Sequence, residues 1–408
     1  MRLGQVRAAL DRRLDPASHA PIAVGFSGGG DSLFLLKTVL DWARPRGRSV
    51  LALVVDHQLQ PDSARWTAEA VAKAVGFGAE ARALVWTGDK PRTGLPAAAR
   101  RARHALLAAA ARQAGARVLV LGHTASDLAE GAAMRVAGSS VSNPREWAPS
   151  PVWPEGRGVF VLRPLLSLTR AEIRACLAGE GETWFDDPAN LDLRYARARA
   201  RAHGAEAAPN VRIQCEPPRS FAVDSVGVIR LPRDVAPAHL AAALLCASGT
   251  ERPPRGERLA RLVDRLRSEE TFAATLAGAR IEAGEAVLIC RDAGEAERGG
   301  LARLDLSPGE LGVWDGRWEV IAGDAAVAVV PLKGRASSLA IGQRGGLAGV
   351  AAVARPSLPL LMREGRDGAG ELPLDGSELA AEGEGRARSL VLDRFKAAVG
   401  LLDQESVT

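Results

Sequence analysis

The stretch VGFSGGGDSLFLL, Val24 to Leu36, sets three consecutive glycines between two apolar runs. Glycine loses more backbone freedom on folding than any other residue, so a triplet here implies a loop tip or a close backbone approach. The run before it, Pro21–Phe26 (PIAVGF), reads as a buried strand, and a helix is expected from Asp31 to about Ala43. A glycine loop in that setting offers backbone N–H groups and the positive end of a helix to an anion. A ligand-free tight turn would need only one glycine. The Walker pattern G-x-x-x-x-G-K-S/T fails because no lysine precedes Ser32, and G-x-G-x-x-G fails because Leu33 stands at the third glycine position. What remains is Ser-Gly-Gly-x-Asp-Ser, carried by Ser27, Gly28, Gly29, Asp31 and Ser32, with Gly30 at the variable position.

Outward from the loop, short apolar runs alternate with alanine-rich segments. Strands are expected at Val50–Val55, Ala83–Trp86, Val118–Leu121 and Val159–Arg163. Helices are expected at Ser63–Val75, Ala97–Ala114, from about Thr124, and at Thr169–Gly179, where Thr169 and Glu172 spell a capping box. This alternation predicts an α/β fold whose parallel sheet is covered on both faces. Ser139–Pro154, rich in Ser and Pro, is expected to be a loop. Residues 1–204 form the expected first domain and the proline-bearing 205–220 a linker. An α+β module is expected over 221–328, with Leu259, Leu262, Val263 and Leu266 on one helix face and turns near Gly284 and within Trp314–Trp318; 329–408 is expected to be a small C-terminal domain.

Composition narrows the class. The chain has 408 residues, 47% of them hydrophobic and 25% charged, with a net charge of +5 that permits an anionic partner. No run is long and apolar enough for a membrane helix, and the N-terminus lacks a signal-peptide core. The four cysteines (Cys176, Cys215, Cys246 and Cys290) form no CxxC pair, which argues against a zinc site or disulfide framework and fits a reducing, cytoplasmic compartment.

Four further motifs carry chemistry. In VVDHQLQPDS, Asp56 and His57 close the second strand, where open α/β sheets bind ligands; such a pair also serves as a loop anchor. In LGHTASDLAE, Asp127 and Glu130 share a helix face, a pattern equally consistent with a solvated acidic face, and His123 could be a turn histidine. In FDDPANLDLRYARARAR, Arg194, Arg197, Arg199 and Arg201 crowd together and want phosphates or water. Arg100 and Arg103 form a related basic run beside His104.

The glycine loop resembles the pyrophosphate loop of the N-type ATP pyrophosphatases. The order SGGGDS, VDHQLQPDS, AARRARHALL, GHTASDLAE, RPLLSLTRAEI and DDPANLDLRYARARAR resembles the tRNA(Ile)-lysidine synthase family over about half the chain, and TFAATLAGARI and WDGRWEV resemble its substrate-binding module more loosely. The resemblance implies an adenine-nucleotide α-hydrolase-like PP-loop domain followed by smaller α+β modules. It implies that ATP adenylates the wobble cytidine of the CAU anticodon of tRNA(Ile), releasing pyrophosphate, and that free L-lysine then displaces AMP at carbon 2. On this basis Ser27, Gly28, Gly29, Gly30, Asp31 and Ser32 hold ATP and Asp31 holds Mg²⁺. Asp56, His57 and His123 line the nucleotide pocket, and Asp127 and Glu130 take lysine, whose amine is charged near neutral pH and must lose a proton to react. Arg197 and Arg201 fall on the family's R-N-x-x-R positions, and Arg100, Arg103, Arg194 and Arg199 suit tRNA. Leu128, Ala198 and His104 depart from the family pattern, and the glycine-rich loop after the acidic helix is reduced to MRVAGSSVSNP. Those departures motivate an alternative, a non-catalytic tRNA-binding relative; the intact loop and both carboxylates argue for the enzyme. A sulfur-transferring relative would need a catalytic cysteine or CxxC, which these motifs lack.

Overall fold

The computed structural model describes residues 3–138, 143–185, 216–268, 270–363, 370–373 and 386–405. The chain gathers into two compact units, residues 1–214 with 402–408, and residues 215–401.

The first unit runs α1 (Leu3–Arg13), β1 (Ile22–Gly25), α2 (Gly30–Ala43), β2 (Val50–Asp56), α3 (Ser63–Gly76), β3 (Glu80–Val85), α4 (Leu95–Gln113), β4 (Val118–Leu121), α5 (Ala125–Val136), β5 (Trp147–Pro149), β6 (Phe160–Leu162) and α6 (Arg170–Gly179). Its sheet has the order β3-β2-β1-β4-β6-β5, parallel except for β5. Strand side chains alternate between faces, so each strand feeds two cores. Val24, Ala52 and Val120 pack with Leu33, Leu36 and Val39 of α2 and Ile173 of α6, whereas Ala23, Leu53 and Leu119 pack with Leu107 and Ala111 of α4. Burial on both faces explains the uninterrupted apolar runs that mark β1, β2 and β4 in the sequence. The parallel α/β fold predicted from that alternation is the one observed.

Strand order positions the site. The chain winds outward from β1 through β2 and β3, then crosses back to place β4 on the other side of β1. The carboxyl ends of β1 and β4 therefore flank a topological switch point, the place where open α/β sheets bind ligands. Two strand expectations are corrected. The third strand begins at Glu80 rather than Ala83, because it is an exposed edge strand with no apolar run to read. The expected loop over Ser139–Pro154 contains β5, which pairs antiparallel with β6 and stacks Trp147 on Phe160 at 4.8 Å. Its Pro149 is tolerated because an edge strand can do without a donor. The tail also belongs to this unit: the Glu405 carboxylate is buried against the guanidinium of Arg48, and Trp147 donates to the Leu402 carbonyl at 2.8 Å.

The second unit opens with the sheet β7-β8-β11-β10-β9, in which β7 is Ala222–Val223, β8 Ile229–Leu231, β9 Phe272–Leu276, β10 Ala279–Ala283 and β11 Val287–Arg291. Helices α7 (Pro237–Ser248) and α8 (Glu257–Arg267) pack on it, α8 through Leu262, Val263 and Leu266. Further strands are β12 (Leu304–Leu306), β13 (Leu311–Trp314), β14 (Trp318–Ile321), β15 (Val327–Pro331), β16 (Pro359–Arg363) and β17 (Arg386–Ser389). Asp315 and Gly316 both take positive φ, 49° and 64°, in the turn joining β13 to β14. The boundary expected at 328 falls inside one core: β14 pairs with β17, and Val226, Trp318, Val329 and Leu360 belong to one cluster. Gly and Pro punctuation reads as a boundary, but such short strands bury their apolar faces only by pairing across it. Among the described residues no helix is long and apolar enough to cross a membrane.

Candidate active site

The glycine loop crosses from β1 to α2. Gly28 has φ +76°, a conformation that excludes other residues at low cost, and it is followed by Gly29 as the N-cap of α2. No side chain caps this helix, so its first N–H groups remain available to an anion. Ser32 ties the loop from inside. Its hydroxyl donates to the Gly29 carbonyl at 2.9 Å and accepts from the Ser27 amide at 3.2 Å, and the two serine hydroxyls lie 3.1 Å apart. Across the crevice Gly122 follows β4, and a side chain there would come within 3.2 Å of the Asp31 carbonyl oxygen. The segment leading to Phe185 also lies on the loop: the Phe185 amide donates to the Gly28 carbonyl at 3.0 Å, and the Trp184 ring sits where a Cβ on Gly30 would touch it at 3.4 Å.

Beside the loop the structure brings Asp31, Asp127 and Glu130 onto a single guanidinium. Arg170, the first residue of α6, reaches Asp31 at 3.1 Å, Glu130 at 3.0 Å and Asp127 at 3.5 Å. Its backbone is fixed by the capping box expected at the start of this helix, Thr169 with Glu172, and its amide donates to the Ser126 hydroxyl at 3.1 Å. Burial works against the Arg170 charge, but the Asp127 and Asp31 carboxylates and the bonds to Glu130 and Asp31 more than reverse this and hold its pKa above the ordinary value. Asp31 moves the other way for a carboxyl. Burial raises its pKa despite Arg170, and its Oδ1 is buried with no hydrogen-bond partner. Asp127 has a second duty: its Oδ2 accepts from the Thr124 amide at 2.9 Å and the Thr124 hydroxyl at 3.0 Å, closing a capping box on α5. That bond leaves Oδ1 toward Arg170 and fixes the direction in which the acidic pair points. Glu130, 3% exposed, is too buried for the solvated-face reading of this motif.

Of the remaining expected residues, Asp56, His57 and His123 stand at the carboxyl ends of β2 and β4, and Arg100 and Arg103 lie on α4. Asp56 accepts from the Gln58 amide at 2.8 Å and holds a loop in which Gln58 takes φ 53°, the geometry of a loop anchor. His57 stands edge-on to Trp86 at 6.3 Å; burial, then Arg103, lowers its pKa against the bond it makes to the Ala99 backbone. His123 accepts at Nδ1 from Arg163 at 3.3 Å. Arg100, Arg103 and His104 share one face of α4, with Arg100 exposed and His104 buried. Arg194, Arg197, Arg199 and Arg201 lie outside the described residues.

Arg170, Arg163, Gly122 and Trp184 were given no role by the motifs. RPLLSLTRAEI contains both arginines, and its capping box placed Arg170 at a helix start, but the fact that three carboxylates converge there depends on strand order. Among the described residues no group of three His, Cys, Asp or Glu side chains is preassembled for a metal. The orphaned Oδ1 of Asp31 beside the uncapped helix start suits a cation shared with phosphate oxygens, the manner in which Mg²⁺ is usually bound.

Residues 3–206 match the PP-loop domain family. The chain is 76% identical over 408 residues to the tRNA(Ile)-lysidine synthase of Caulobacter vibrioides, covering 100% of both chains. It is 37% identical over 321 residues to the enzyme of that name from Hyphomonas neptunium, covering 69% of this chain and 85% of that one. Among solved structures, a U34-tRNA thiolase from Methanococcus maripaludis aligns over 50% of this chain and 72% of that chain, with 15% identity and a TM-score of 0.41. Full-length identity at this level, together with the matched PP-loop domain and the loop geometry, places the chain among enzymes: it belongs to the tRNA(Ile)-lysidine synthase family.

Proposed function

We propose that this enzyme uses ATP to modify tRNA(Ile), converting the wobble cytidine of its CAU anticodon to lysidine. In the first step the cytidine O2 attacks the α-phosphorus of ATP, and pyrophosphate leaves with its charge against the amides of Gly30, Asp31 and Ser32. In the second the ε-amine of free lysine attacks carbon 2, AMP departs, and the amine gives up a proton to a nearby base. The observation that carries this reading is the convergence of Asp31, Asp127 and Glu130 on one cation next to an uncapped helix start. Three carboxylates around a guanidinium form a receptor for a cationic group, and an ammonium bound there would stand beside the phosphate cradle. Mg²⁺, held by Asp31 and phosphate oxygens, would supply charge neutralisation at the transferring phosphate. Asp127 is already oriented by its bond to Thr124, which leaves Glu130 as the carboxylate better placed to follow the amine. Arg194, Arg197, Arg199 and Arg201, with Arg100 and Arg103, complete the reading as contacts to tRNA or to the adenylated base.

The test is direct. Purified protein, a tRNA(Ile) transcript, ATP and labelled lysine are incubated, and the nucleosides are analysed after digestion. Lysidine with stoichiometric AMP and pyrophosphate is expected. Intact tRNA binding without lysine incorporation overturns the proposal.

A further inference from the structure

We infer that Trp184 and Phe185 are positioning residues for the glycine loop, holding the peptide between Gly28 and Gly29 in the orientation that a bound triphosphate requires. The chain leaves α6 in a turn at Glu180 and Gly181 and continues to Phe185 outside helix and strand. Contacts from α2, α3 and α6 fix this segment. Lys37 of α2 bonds to Glu180 at 2.5 Å and to Glu182 at 2.6 Å, and Lys73 of α3 donates to the Thr183 carbonyl. The Phe185 ring packs on Trp66 of α3 with centroids 4.9 Å apart, and the Arg174 guanidinium of α6 lies 5.7 Å from the centre of the Trp184 ring. So held, the segment meets all three glycines. Cβ atoms on Gly28 and Gly29 would stand 3.8 Å from the Phe185 Cβ and 3.6 Å from its carbonyl oxygen, and one on Gly30 would stand 3.4 Å from the Trp184 ring.

The contact that sets the loop is the Phe185 amide, which donates to the Gly28 carbonyl at 3.0 Å. A peptide unit is planar and trans, so drawing the Gly28 carbonyl toward Phe185 turns the Gly29 N–H to the opposite side. Between two glycines that unit would otherwise rotate at little cost, because neither residue carries a Cβ to resist it. Reversed, the peptide would exchange a donor for a carbonyl oxygen, and an oxygen facing phosphate repels it. The two rings weight the pinned arrangement, since lifting the segment from the loop would return their apolar faces to water. Order imposed before the nucleotide arrives is order that binding no longer has to supply. A segment that only covered the core would change stability and leave nucleotide affinity alone. The inference rests on the loop's use of ATP and not on the lysine step.

The experiment uses the full chain labelled with 5-fluorotryptophan and a non-hydrolysable ATP analogue with Mg²⁺ as the probe. The fluorine resonance missing from Trp184→Phe belongs to Trp184, and it should move saturably as the analogue is added. Trp184→Ala should weaken analogue binding about tenfold, and Trp184→Phe, which keeps a ring beside Gly30, should stay within about threefold of wild type. Affinities are compared at a temperature where each variant is fully folded. If Trp184→Ala does not fold, Lys37→Met releases Glu180 and Glu182 two turns along α2 from the loop and should weaken binding about threefold. A Trp184 resonance that ignores saturating analogue overturns the inference, as does wild-type affinity in Trp184→Ala or, where that variant does not fold, in Lys37→Met. Equal weakening in Trp184→Phe and Trp184→Ala overturns it too, because the ring would then not be what positions the loop. Neither lysine nor tRNA is present, so a failure here is distinct from a failure of lysine incorporation.

Discussion

Arg163 and Arg170 stand seven residues apart on the segment that leaves β6, and their surroundings are opposites. Arg170 is held by three carboxylates and its charge is reinforced. Arg163 is held by an imidazole and a carbonyl, and burial, with Arg100, Arg103 and Arg145 adding repulsion, pulls its pKa down to about 10. One basic side chain therefore sits among surplus negative charge, whereas among the described residues no carboxylate pairs with the other. Two arginines of one motif thus meet opposite electrostatic surroundings.

The largest effect should come from the acidic half. Asp31→Asn leaves the loop's shape intact but removes the charge facing Arg170, and ATP-dependent AMP formation should fall by about 10³-fold, the scale seen when one preorganised charge partner is lost. Unchanged turnover would remove Asp31 from the phosphate site. Next, Arg170→Met should cost roughly 3–5 kcal/mol in urea unfolding, because it removes the one guanidinium that Asp31, Asp127 and Glu130 share, whereas Arg163→Met leaves no carboxylate facing a lost charge and should cost about 1–3 kcal/mol. Equal losses would erase the contrast between the two arginines.

The loop was legible in the sequence because its constraints are local. Gly28 needs its positive φ, Ser32 needs a carbonyl three residues back, and a buried strand before a helix announces itself as an apolar run. The capping box at Thr169 was legible for the same reason. The Arg170 hub was not, because Asp31, Asp127 and Arg170 come from three helices that only the crossover between β1 and β4 brings together. Edge strands β3 and β5 were misread or missed, since half-exposed strands carry no apolar signature. The aspartate at position 127 read as one of a pair on a helix face, yet its capping bond to Thr124 sets its direction.

The basic half can be probed by pH. His104 is pushed down to about 2, first by burial and then by Arg103, Arg100 and Arg163. Below about pH 6.5 the unfolded chain takes up a proton that the folded ring refuses, so stability falls with pH by about 1.4 kcal/mol per unit. Between pH 7 and 5 the wild type should therefore lose about 2 kcal/mol more than His104→Leu, measured by urea midpoints at each pH. Parallel profiles would mean that the ring already has a partner, and the two halves would no longer differ in the way described.

The smallest effect separates shape from ligand within the glycine loop itself. Gly28 and Gly29 are adjacent, but only Gly28 has positive φ, at +76°, while Gly29 has φ −73°. A Cβ on Gly29 would meet its nearest atoms, the Ser27 hydroxyl and the Phe185 carbonyl, at 3.5 and 3.6 Å, which is ordinary contact. Gly28→Ala should therefore cost about 1–2 kcal/mol of stability through backbone strain, and Gly29→Ala only a few tenths. If ATP nevertheless binds weakly to Gly29→Ala, the added methyl must be blocking something absent from the folded chain alone, which is the close approach of a phosphate. Should Gly29→Ala bind ATP normally, the second glycine serves only the fold, and the acidic half would have to hold the nucleotide without the loop backbone drawn up against it.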